Sequence, residues 1–174
     1  EPDIHCDTPR VLTNLLEKNG AQYLVLVNDN RVYGERAGLK HKAVLDKLLP
    51  IDTVVTLRNW KDEGLAVYDM LRQKKLPTTN GDAGWHIPVS LTELGGTILA
   101  LYPEPPTELR IATPPTIVQG GSGMLSISLV NKSGVPLAGL QPMELTLTDA
   151  SDAPSAYSDY YCAQNGRLAL PFVA

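Results

Sequence analysis

Leu125-Ser126-Ile127-Ser128-Leu129 is the stretch that decides the fold. Apolar side chains occupy every second position and serines fill the gaps. A period of two puts the leucines and the isoleucine on one face of a pleated strand and the serines on the other. The same alternation returns downstream. Met143, Leu145 and Leu147 alternate with Glu144, Thr146 and Thr148, and Leu168, Leu170 and Phe172 repeat it. One greasy and one polar face per strand implies antiparallel strands laid over a single core. Turn signals every 8 to 12 residues or so fit a sandwich, and no helical period survives in this half.

Working back toward the N-terminus, residues 11–16 and 22–28 are apolar runs around Lys18-Asn19-Gly20, the pattern of a hairpin with an Asn-Gly turn. Tyr23-Leu24-Val25-Leu26-Val27 is continuously apolar, which predicts a strand covered on both faces. Residues 39–49 read differently. Leu39, Ala43, Val44, Leu45, Leu48 and Leu49 fall near helical spacing between Lys40, Lys42, Asp46 and Lys47, which predicts one short amphipathic helix stopped by Pro50. Strand character resumes over 53–60, 65–70, 85–91 and 97–102. Asp62, Glu63, Gly64, Asn80-Gly81-Asp82 and Gly95-Gly96 punctuate these runs.

Composition divides the 174 residues near position 105: 26 charged residues precede it and eight follow. Pro103-Glu104-Pro105-Pro106 marks the break, and prolines favour a short stiff connector. The expected class is mainly β, with two small antiparallel β-sandwich domains. Residues 1–104 form the first, with an N-terminal extension and the short helical insert; residues 105–174 form the second. A net charge of −4 argues against a nucleic-acid partner. No apolar run approaches the roughly 18 residues of a membrane span. Residue 1 is Glu, and the chain ends in a strand-like run at 167–174; a piece of a longer polypeptide is expected, its second domain lacking a closing strand. Such an exposed edge suggests an edge-strand dimer.

The chemistry-bearing residues do not gather into a motif. Cys6 and Cys162 are too few for a structural zinc site, and their redox state stays open. His5, His41 and His86 have no metal-ligand spacing. Gly120-Gly121-Ser122-Gly123 lacks the Lys and the following helix of a phosphate loop and reads as a turn before a strand. No Gly-x-Ser-x-Gly elbow occurs. Asp29, Asp62, Glu63, Asp69 and Glu93 are the carboxylates from which an acid–base pair could be drawn, but most sit at turns, where acids cap the backbone. Asn28-Asp29-Asn30 and Asp149-Ala150-Ser151-Asp152 are oxygen-rich turns without the twelve-residue calcium-loop pattern. Asn131-Lys132-Ser133 matches a glycosylation acceptor. Trp60 and Trp85, with Tyr33, Tyr68 and Tyr102, are core aromatics by default; exposed, the two tryptophans would be the residues to contact a sugar ring. No cofactor, metal or catalytic set is expected.

Two stretches carry a resemblance. Residues 23–30, with 65–71 and 89–102, resemble the small β-sandwich that follows the catalytic barrel in many glycoside hydrolases: a strand ending in Asn28, a corner at Tyr68-Asp69, and a last strand after Leu94-Gly95-Gly96. Residues 108–174 resemble a bacterial immunoglobulin-like module, through Gly120 to Asn131, the turn Ser133-Gly134-Val135-Pro136-Leu137-Ala138-Gly139, and the strand from Met143 to Asp149. These motifs are structural, so the resemblance transfers no catalytic residue. It implies a non-catalytic accessory or spacer segment of a larger bacterial protein, extracellular or periplasmic and carbohydrate-active, whose partners are neighbouring domains and glycans. A carbohydrate-binding module using Trp60 and Trp85 is the first alternative, and a small glycoside hydrolase built on two of Asp29, Asp69 and Glu93 the second.

Overall fold

Alternating apolar and polar side chains leave a chain no economical way to bury one face except as sheet, and every regular element among the described residues is a strand. The computed structural model describes residues 3–33, 45–93, 95–149 and 151–173. The chain divides into two compact units, Glu1–Glu17 with Gln22–Pro103, and Lys18–Ala21 with Glu104–Ala174.

The first unit's strands are β1 (Asp3–Cys6), β2 (Val11–Lys18), β3 (Ala21–Asn28), β4 (Arg31–Tyr33), β5 (Leu45–Leu48), β6 (Ile51–Arg58), β7 (Ala66–Asp69), β8 (Lys74–Leu76), β9 (Thr79–Gly81), β10 (Gly84–Leu91) and β11 (Gly96–Tyr102). They make a four-stranded sheet in the order β1-β6-β10-β9, a five-stranded sheet in the order β2-β3-β11-β7-β8, and a ribbon of β4 with β5. Leu24, Leu26, Val67, Leu99 and Leu101 from the larger sheet share one core with Val55, Leu57, Ile87, Val89 and Leu91 from the smaller, which makes the unit sandwich-like. The β2–β3 hairpin turns on Asn19 and Gly20, in the Lys18–Ala21 tip that is grouped with the second unit; both are at positive φ (51° and 77°), the geometry an Asn-Gly pair adopts most easily.

Two expectations need correction here. The helix expected at 39–49 is not what the described part of that stretch forms: residues 39–44 lie outside the described residues, and Leu45–Leu48 is a strand, pairing Arg31 with Leu48 and Val32 with Lys47. A helix of about a dozen residues is marginal on its own, so an open strand edge at β4 can recruit the same residues. Nor is β3 covered evenly. Leu24 and Leu26 are fully buried, but on the other face cover fades from buried Tyr23 to exposed Val27.

The second unit has β12 (Pro106–Ala112), β13 (Ser122–Asn131), β14 (Leu140–Leu145), β15 (Asp159–Gln164) and β16 (Arg167–Val173), hydrogen-bonded as one antiparallel sheet in the order β12-β13-β16-β15-β14. β15 and β16 meet only at Gln164 and Arg167, beside the turn Asn165-Gly166, whose φ values are 50° and 70°. Beyond that pair β15 runs with β14 and β16 with β13. Leu125, Ile127, Val130, Leu137 and Ala163 are the buried apolar residues. The strand at 167–173 is not an unpartnered end: it lies inside the sheet, in register with β13 from Ser128↔Arg167 to Ser122↔Val173. The edges are β12 and β14.

Candidate functional site

The first unit carries an open groove of about 630 Å³, where the start of β6, the end of β10 and the β7–β8 turn come together. Asp7, Asp52, Asp69, Arg72 and Lys74 supply its charges.

Asp69 organises it. The strand β7 ends there, and a four-residue turn leads into β8 with Asp69 opposite Lys74. An aspartate at a turn start folds back on the backbone that follows. Its Oδ1 accepts the N–H groups of Leu71 (3.1 Å) and Arg72 (2.9 Å) and the hydroxyl of Thr97 (2.7 Å). Its Oδ2 accepts Arg72 Nη1 at 2.7 Å. The carboxylate is only 1% exposed. Burial pushes its pKa up, but the hydroxyl of Thr97, then the backbone and guanidinium of Arg72, outweigh burial and hold the acid below its ordinary value. Arg72 reaches further: its Nη2 donates to the Ser90 carbonyl of β10 at 3.0 Å, so one guanidinium ties the β7–β8 turn to the opposite sheet. On the far wall, the Asp7 carboxylate accepts the hydroxyl of nearly buried Thr53. The arrangement fixes a corner: the ionised carboxylate takes three donors on Oδ1 and one on Oδ2, and as a carboxylate it has no proton to give.

The remaining carboxylates of the sequence reading lie apart from this corner in role. Asp29 is ion-paired with Arg31. Asp62, Glu63 and Glu93 are exposed in loops. Among the described residues, no three His, Cys, Asp or Glu side chains come together as a metal-holding group. Trp60 and Trp85 are half-buried and pack against the core, with Trp60 Nε1 donating to the Gly64 carbonyl at 2.8 Å. Trp85 stands opposite Leu57. His86 pairs with the Thr56 hydroxyl at 3.1 Å, His5 is exposed on β1, and His41 lies outside the described residues. Tyr68 and Tyr102 meet edge to face at 6.0 Å; Tyr33 is in β4.

The oxygen-rich turns use their oxygens internally. Asn28 is buried and donates to the carbonyls of Leu49 and Thr92 (2.8 Å each), while its Oδ1 accepts Asn30 N–H. Asn30 Oδ1 accepts Arg10. Asp149 Oδ1 receives the Ser151 hydroxyl and the N–H groups of Ser151 and Ala153. The Gly120 turn closes through Gly121 N–H to the Val118 carbonyl ahead of β13. Cys6 and Cys162 are free thiols, one half-buried and one exposed. No helix among the described residues is long and apolar enough to cross a membrane.

The sequence reading named Asp69 but passed over Arg72, Asp7, Asp52 and Lys74. The spacing Asp69-x-x-Arg72 at the end of an apolar run was the available signal. Comparison with known proteins finds no matching family model, no matching curated protein and no matching solved structure.

Proposed function

We propose that this chain is a non-catalytic accessory segment of a larger secreted bacterial protein, spacing or presenting neighbouring domains. Its second unit is read as immunoglobulin-like and its parent as carbohydrate-active, on the strength of the motif resemblance. The observation that carries the non-catalytic part is Asp69. The most buried carboxylate of this groove receives four donors, from its own turn and Thr97, and is held ionised, which suits a strut between two sheets and not a general acid. Trp60 and Trp85 support the same reading, because each has a face against the core and Trp60 has its N–H engaged with a backbone carbonyl. An extracellular or periplasmic location follows from the same resemblance.

The test is a glycan-binding screen of the 174-residue chain, paired with tryptophan fluorescence and a reducing-sugar assay. No saturable binding, no spectral shift and no released sugar are expected. Saturable binding with a tryptophan shift would replace this reading with a carbohydrate-binding module; sugar release abolished by Asp52→Asn would replace it with a hydrolase.

A further inference from the structure

β12 occupies an edge of the second unit's sheet, with β13 as its neighbour. An edge strand carries a row of backbone N–H and C=O groups on its open side. Leu109 pairs with Leu129 and Ile111 with Ile127, so their side chains stand on the same face as buried Ile127. Yet Leu109 is 53% and Ile111 60% exposed. The core-side face of this sheet therefore continues past its cover at β12. On the other face Glu108 and Arg110 pair with each other at 2.7 Å, each more than half exposed.

Thr107-Glu108-Leu109-Arg110-Ile111 reverses its charge about Leu109. We infer that β12 is a self-complementary docking edge, and that a second copy of this chain pairs with it antiparallel about a two-fold axis at Leu109. In that register Glu108 stands opposite Arg110 of the partner subunit, and Arg110 opposite Glu108 of the partner subunit. Leu109 meets Leu109 of the partner subunit, which widens the apolar strip. The register is specified. A slip of two residues sets Glu108 against Glu108 of the partner subunit, or Arg110 against Arg110 of the partner subunit, and like charges directly opposite are destabilising. A slip of one mixes charged with apolar faces. Pro106 before the run and Pro114-Pro115 after it lack donors and confine the pairing to these residues. The opposite edge is blunted by Pro142 within β14, so a two-fold pair closes without growing into a filament.

A contact this short buries far less than a standard interface of about 1,600 Å², so the dimer is weak, with a dissociation constant on the order of 100 µM. Sedimentation velocity of the full 174-residue chain from about 10 µM to about 1 mM reads it directly. Wild type passes from monomer to dimer over that range. Glu108→Arg alone, or Arg110→Glu alone, weakens dimerisation about tenfold or more, because two attractive cross-strand pairs become repulsive. An equimolar mixture of the two single variants restores it, since each edge then meets opposite charge, and the double variant E108R/R110E restores it within one chain. Both side chains are exposed, and far-UV circular dichroism verifies that each variant keeps its sheet. A wild type that stays monomeric at 1 mM, a dimer indifferent to either reversal, or a mixture that remains monomeric overturns the inference.

Discussion

Replacing Gly166 by Ala tests how the second unit is held together. Gly166 has φ +70°, a region that costs an L side chain about 1 kcal/mol. A Cβ there would also lie 2.6 Å from the Leu137 nitrogen and 2.7 Å from the Leu129 carbonyl oxygen, about 0.8 Å short of ordinary contact. Both obstacles are backbone, and both belong to a ladder. Leu129 N–H donates to the Gly166 carbonyl at 2.8 Å, Leu137 N–H to the Leu129 carbonyl at 3.0 Å, and Gly166 N–H to buried Gln141 Oε1 at 2.8 Å. Relieving the clash gives up about two of these bonds, at about 1 kcal/mol each. The total is about 3 kcal/mol. Gly120→Ala is the matched control: φ is +77°, but nothing lies within 4 Å of its Cβ, so only the backbone term of about 1 kcal/mol remains. Any gain from a stiffer unfolded chain is common to both variants and cancels. Urea titration followed by hydrogen exchange of peptides from β13–β16 isolates this unit, because Trp60 and Trp85 both belong to the other. The Gly166→Ala midpoint should fall about 1 M below that of Gly120→Ala. Coincident midpoints would show that the turn at 165–166 is not the close-packed junction described above.

Four further outcomes can be measured on single side chains. Asp69→Ala leaves Arg72 and the turn N–H groups without their acceptor and should cost about 3 to 5 kcal/mol in chemical denaturation. Because the folded-state pKa of Asp69 is depressed, its stabilisation is complete above the unfolded value near 3.9 and is lost as pH falls through the folded value. Asp69→Asn should therefore be less stable at neutral pH and show a flatter acid limb between about pH 5 and pH 2; an unchanged acid slope would refute the assignment. Asn28→Asp removes two donations to backbone carbonyls and should destabilise by about 2 kcal/mol, whereas a neutral effect by thermal unfolding would refute the buried knot. Thiol labelling should be biphasic. Cys162 is exposed and reacts fast, while burial first, then the charge of Asp7, raise the Cys6 pKa and slow it; Cys162→Ser must remove only the fast phase.

Local chemistry was legible along the chain wherever it acts locally. The alternation at 125–129 and 168–172 needed no neighbour to declare strands, and Lys18-Asn19-Gly20 announced its turn because an Asn-Gly pair tolerates positive φ. Asp69 was recognisable as a turn-capping acid for the same reason. What depended on distant partners was not. Leu45–Leu48 carries helical spacing in sequence, yet takes the strand offered by β4, since a few residues of weak propensity yield to an available ladder. Arg72 acquires its meaning only when Ser90, eighteen residues away, arrives from the opposite sheet. The place of residues 167–173 inside the sheet likewise rests on pairing with β13 some forty residues earlier. Periodicity and turn residues specify which face each strand buries; only the packing of sheets decides which strands become neighbours within the fold, because the backbone ladder offers the same donors and acceptors on every strand.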